Sequence, residues 1–136
     1  MAVNVIVDTG FLIALLNRRD THHAWAVAQA NEHPPQWITC EAALSEAFHL
    51  LGATGFNGLA ALIQRDVLIA AFRFAESAAP VLALMQKYRQ VPMNFADACI
   101  VRMTEIMTDP MVLTTDSDFR VYRRHSRQAI PCVIAA

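Results

Sequence analysis

Lysine occurs once in this chain, at Lys87, and eleven basic residues in all face twelve acidic ones for a formal net charge of −1. No global positive field therefore marks nucleic acid as a partner. Cysteine is just as sparse. Cys40, Cys99 and Cys132 form an odd, widely spaced set without a CxxC pair, which excludes a disulfide framework and a zinc ribbon and points to a reduced, cytoplasmic protein. The start of the chain carries no cationic leader region, and no apolar run reaches the length of a membrane span. Internal repeats, linkers and low-complexity stretches are missing as well. The 136 residues read as one compact domain, residues 1–136, long enough to bury a real core.

What the chain does have is apolar mass. It is 55% hydrophobic and 17% charged, with a mean hydropathy of +0.31. That surplus suggests a buried parallel sheet, an oligomer interface such as a homodimer, or both. The run Val3–Val7, β-branched and broken only by Asn4, reads as a strand buried on both faces. Asp8 follows at once, Thr9-Gly10 turn the chain, and a short helix is expected over Gly10–Asn17. Asp20 or Thr21 can cap a second helix from His22 to about Asn31, which Pro34-Pro35 stop. Strands are expected over Trp37–Cys40, Val67–Phe72, Met111–Thr114 and Pro131–Ile134. Between them lie helices over Glu41–Leu51, ended by Gly52, and over Gly58–Arg65 and Ser77–Tyr88. Another is capped by Asn94, with Asp97 in its first turn, and a short one is expected over Phe119–Arg124. Strands alternating with helices imply an α/β domain with a central parallel sheet.

Two carboxylates share one context. Asp8 and Asp116 each sit just beyond an apolar strand, and in a parallel sheet such ends project from the same edge, where ligands gather. Asp97 begins a helix, and helix starts face that edge too; Glu46, one turn into the helix after the second strand, could point inward from the side. Taken singly, each acid is adequately explained as a cap or turn residue. Taken together, four converging carboxylates repel one another unless a divalent cation neutralises them. Oxygen-only ligation suits Mg²⁺ or Mn²⁺ rather than zinc. Such an ion can activate water against a phosphodiester.

The motifs that hold these acids resemble those of a known family. Ile6-Val7-Asp8-Thr9-Gly10-Phe11 through Leu16, then Asp20 and His23-Ala24-Trp25, look like the opening of a PIN domain. Thr39–Leu51 around Ser45-Glu46 is similar to the segment bearing that family's second acid. Pro92-Met93-Asn94-Phe95-Ala96-Asp97-Ala98 and Leu113-Thr114-Thr115-Asp116-Ser117-Asp118-Phe119 look like the third and fourth. The likeness is greatest to the small VapC-like toxins of toxin–antitoxin pairs. It implies a five-stranded parallel sheet flanked by helices and a metal-dependent endoribonuclease. Asp8, Glu46, Asp97 and Asp116 would be its catalytic, metal-holding quartet, with Mg²⁺ or Mn²⁺ as cofactor. Asp118 would add a water-mediated contact, and Thr9 and Thr114 would support the ligands by hydrogen bonds. The partners implied are RNA and a cognate antitoxin. Asn94 departs from the pattern, since close relatives often carry an acid there.

Other readings compete. A receiver or dehalogenase-like phosphatase would use Asp8 as a nucleophile, but it wants a late lysine, and Lys87 precedes the last two motifs. A non-catalytic PIN-like module that binds RNA or protein is a further alternative. Glu46 and His49 have the spacing of a carboxylate-bridged iron helix, yet no second pair exists. Asp8-Thr9-Gly10 matches an aspartic-protease triplet, which those enzymes use in pairs. His22-His23 fit a solvated helix start, and Cys99 a buried, inert thiol. Arg120, Arg123 and Arg124, close after Asp116, could hold RNA phosphates beside an acidic site, with Arg18 and Arg19 extending the track.

Overall fold

The computed structural model describes residues 3–136. In chain order these form β1 (Asn4–Val7), α1 (Thr9–Leu16), α2 (His23–Glu32), β2 (Trp37–Thr39), α3 (Glu41–Gln64) and β3 (Leu68–Ala70). Then come α4 (Ala78–Lys87), α5 (Phe95–Ile106), β4 (Pro110–Thr114), the two-residue strands β5 (Arg123–Arg124) and β6 (Gln128–Ala129), and β7 (Cys132–Ile134). Five strands make one sheet in the order β3-β2-β1-β4-β7, every neighbouring pair parallel. This is the expected α/β architecture with helices on both faces.

The alternation along β1 explains why it sits in the middle. Val5 and Val7 point into one core with Phe11, Leu12, Ala47 and Leu113, and Ile6 into the other with Val81, Ile100, Val101 and Val112. A strand buried on both faces has to be apolar throughout, and only Asn4, at its start, is not. Asn4 pairs with the far end of the sheet, its backbone N–H donating to the carbonyl of Asp109 at 2.9 Å. Helices α1, α2 and most of α3 cover the first face, and α4 and α5 the second. Phe11 anchors the first layer, edge-on to Trp37 with ring centroids 5.5 Å apart.

Several boundaries differ from the expected ones. Val3 lies outside β1 and is exposed, and Cys40 is not in β2 but stands at the N-cap position of α3 without a side-chain capping bond. Gly52 ends the first helical segment as expected, with non-helical φ +62°, ψ −160°, but the second segment starts directly after it rather than at Gly58, so α3 is two helices joined at a kink. A side chain at Gly52 would meet no neighbouring atom, so its requirement is purely conformational. The helix expected over Phe119–Arg124 is instead a 3₁₀ turn, Ser117–Arg120, followed by a β5–β6 antiparallel hairpin. His125 and Ser126 turn that hairpin with φ +49° and +70°. Among the described residues no helix is long and apolar enough to cross a membrane.

Candidate metal centre

The register of β1 on β4 sets the site. Val7 pairs with Leu113, so Asp8 and Thr114 emerge side by side at the carboxyl edge of the sheet. Asp8 is the N-cap of α1: its Oδ1 accepts the Phe11 backbone N–H at 2.9 Å, and its Oδ2 accepts the Thr114 hydroxyl. Thr114 Oγ1 in turn accepts the Asp116 N–H at 2.9 Å, and Asp116 Oδ1 accepts the Asp118 N–H at 2.9 Å. Asp116 therefore caps the 3₁₀ turn. Asp118 lies inside that turn, since no helix forms from Phe119.

On the opposite wall, Asn94 and Asp97 make a reciprocal capping box at the start of α5, as the sequence suggested. Asn94 also donates from Nδ2 toward Glu46 Oε2 at 3.4 Å, and Thr9 donates to Glu46 Oε1 at 2.9 Å. The amide at Asn94 thus positions Glu46, where an acid would repel it.

These residues surround one cleft of about 270 Å³. Asp8, Glu46, Asp97 and Asp116 all line it, with Thr9, Asn94 and Thr115; Asp118 does not, although it is half-buried nearby. Among the described residues, no lysine, arginine or histidine lines it. Burial, opposed by the bonds from Thr114 and Phe11 and reinforced by the charges of Asp97 and Asp116, pushes the Asp8 carboxyl up to about 7. Burial likewise raises Asp97 to about 6, with Asp116 and Glu46 adding to the rise.

An unpaired acidic cleft with an all-oxygen donor set fits a hard divalent cation by donor type. Among the described residues, no three acidic, histidine or cysteine side chains already stand close enough to form a closed cage. The carboxylates are instead turned to hydrogen bonds of the protein.

Two contributors were not legible beforehand. Tyr122, fully buried, donates from its hydroxyl to Asp97 Oδ2 at 3.4 Å and packs edge-on against Phe119 and Tyr88. Thr39 donates to the Val7 carbonyl at 2.8 Å and so fixes the strand end from which Asp8 projects. Only an aromatic residue soon after Asp116 hinted at the first; nothing distinguished the second.

The arginines divide. Arg123 turns its guanidinium to the carbonyls of Arg120 and Tyr122, and Arg124 donates to the Thr104 carbonyl, so both serve the hairpin. Arg120, Arg18 and Arg19 are exposed, and none of them belongs to an ion pair among the described residues. Lys87 reaches the Ser126 carbonyl at 3.3 Å and is not in the cleft, so a nucleophilic phosphoryl-transfer site lacks its cation.

Gly10 is required by close approach. A Cβ there would lie 2.1 Å from Thr115 Oγ1 and 3.3 Å from Thr115 Cβ. Gly10→Ala should therefore push the Thr115–Asp116 loop outward and lower the activity of the cleft about 10-fold, the scale on which disturbing a ligand's support acts. Adding Thr115→Ala removes the closest atom and should restore most of the activity. Equal activity of Gly10→Ala and the wild type would show that the loop does not hold the site.

A search of curated proteins finds no match to the chain. A family model described as the PIN domain, however, matches residues 5–125, which span all four acids. The chain belongs to the PIN domain family, whose members are in general nucleases that use divalent metal ions.

Proposed function

We propose that the protein is a metal-dependent endoribonuclease that hydrolyses RNA phosphodiesters at the acidic cleft, and that it serves as the toxin of a VapC-like toxin–antitoxin pair. One observation carries the reading most: four carboxylates from separate elements line one cleft that contains no cationic side chain. Asp8, Glu46, Asp97 and Asp116 would hold Mg²⁺ or Mn²⁺. When bound, such an ion lowers the pKa of water and neutralises charge on the phosphoryl and leaving oxygens.

The chain's own residues prepare the rest. Thr114 and the Phe11 N–H fix the Asp8 carboxylate, Thr9 and Asn94 orient Glu46, and Asn94 with Tyr122 holds Asp97. This limits rearrangement when substrate arrives. The raised carboxyls must lose their protons to hold the cation, which ties loading of the cleft to pH. Arg120 supplies a positive charge near the acidic edge to receive phosphates. VapC-like action implies a cognate antitoxin. Pairing into a homodimer rests on the chain's apolar surplus, 55% of its residues.

Product ends test the reaction type. Attack by water places a phosphate on one new end and a hydroxyl on the other, while attack by the RNA's own 2′-hydroxyl gives a 2′,3′-cyclic phosphate. End-labelled RNA cleaved in Mn²⁺ should yield no cyclic phosphate at any time. Its appearance as the first product would contradict hydrolysis by water.

A further inference from the structure

The acidic cleft does not end at its acids. A second cavity of about 630 Å³ shares Ile13 and Leu50 with it and runs on to Arg18 and Arg19. We propose that this continuous groove is a single-stranded RNA track, and that Arg18 and Arg19 form a phosphate subsite for nucleotides beyond the scissile bond; this rests on the ribonuclease reading above. The two ends of the track are held apart by α1. Asp8 caps its N-terminus and the arginines follow its C-terminus, so its eight residues separate them by about 12 Å at 1.5 Å per residue.

Charge decides the occupant. The cleft has no basic residue, and none of the four acids lines the second cavity. A polyanion entering the cleft needs an anchor outside it, and the exposed Arg18 and Arg19 are in no ion pair among the described residues. The turn that presents them is fixed: Asn17 Oδ1 accepts the Arg19 N–H and the Asn17 carbonyl accepts the Asp20 N–H, both at 3.0 Å. Asp20 turns its Oδ1 to the His22 N–H at 2.8 Å and forms no ion pair with them among the described residues. Guanidinium groups suit phosphate oxygens through paired donors.

The stretch between the charged ends is apolar, with Ile13 and Leu16 along it and Leu50 64% exposed. A duplex would offer this surface only its backbone, whereas a single strand can lay an unstacked base or ribose against it.

The test uses the full chain carrying Asp116→Asn, so that RNA is bound without being cut. Binding of a fluorescent single-stranded oligoribonucleotide, of the same sequence as a duplex, and of an acidic peptide is measured across a salt series. Arg18→Gln with Arg19→Gln should weaken single-strand binding about 10-fold and reduce the slope of log affinity against log salt by about 1.4, at ~0.7 per phosphate contact. Thr54→Glu, which adds a negative charge to an exposed position lining the same cavity, should weaken binding in the same direction while leaving the arginines in place. Unchanged affinity and slope in both variants, with the wild type cleaving RNA in Mn²⁺, would overturn the subsite and leave the ribonuclease reading standing. No cleavage by the wild type in Mn²⁺ would overturn both. Equal losses on duplex would overturn the single-strand assignment, and loss of the peptide alone would give the groove to a protein segment.

Discussion

Asp116→Asn should lower kcat/KM for RNA cleavage by at least about 100-fold, near 3 kcal/mol of transition-state stabilisation, while thermal stability stays within a degree or two. The two halves of that expectation have separate causes. Asp116 lines the cleft with Asp8, Glu46 and Asp97, so loss of its charge removes one of four anionic oxygen donors. Its structural duty is to accept the Asp118 N–H and so cap the start of the Ser117–Arg120 turn, and asparagine caps about as well as aspartate. Asp118→Asn is the comparison. Asp118 does not line the cleft and caps nothing, so this variant should retain most activity at saturating Mg²⁺ and fall behind only when Mg²⁺ is limiting. Reversed outcomes, with Asp118→Asn dead and Asp116→Asn active, would move the fourth acid to Asp118.

The second large effect concerns stability without metal. Asp8 is 7% exposed, and burial moves its carboxyl from 3.8 to about 7. Below about pH 3.8 the folded and unfolded chains both carry the proton, and Asp8 costs nothing. Between 3.8 and 7 the folded chain keeps a proton that the unfolded chain has lost, so stability falls as pH rises. Above 7 the whole penalty is present. At ~1.4 kcal/mol per pH unit it is on the order of 4 kcal/mol, reduced wherever the site relaxes or admits water. Asp8→Asn removes this penalty while keeping an acceptor for the Phe11 N–H. Melting in EDTA should therefore show the variant several degrees more stable than the wild type at pH 8 and little different at pH 4. Saturating Mn²⁺ should narrow the gap at pH 8 by stabilising the wild type alone. A variant that melts lower than the wild type at pH 8 would mean that the Asp8 carboxylate is structural.

The sheet was legible in the sequence because its central strands leave no freedom. Strands buried on both faces, such as β1 and β4, must be continuous apolar runs, and a charged residue at the end of one is conspicuous. The same reasoning located Asp8 and Asp116, and the Asn94–Asp97 pair declared its capping box by spacing alone. The hairpin of β5 and β6 was not legible. Its strands are two residues each and polar, and the turn places His125 and Ser126 at positive φ where glycine would have been the signal. With a run of arginines, that stretch imitates a solvated helix. Gly52 was legible as a helix end, but the start of the second segment directly after it, earlier than the expected Gly58, was not, because neither Gly52 nor Ala53 carries a capping side chain as a start signal. The roles of Arg123 and Arg124 were hidden for a similar reason, since a carbonyl acceptor such as that of Thr104 is present at every residue and leaves no trace in sequence.

The central claim is that the acidic cleft cleaves RNA only with a divalent cation. Its most direct test is a single-turnover cleavage assay on purified full-length protein, first stripped with EDTA and then titrated with Mn²⁺. The account predicts no cleavage in EDTA, saturable recovery with Mn²⁺, and no recovery for Asp116→Asn at the same concentrations. Full cleavage by the stripped protein in EDTA would contradict it.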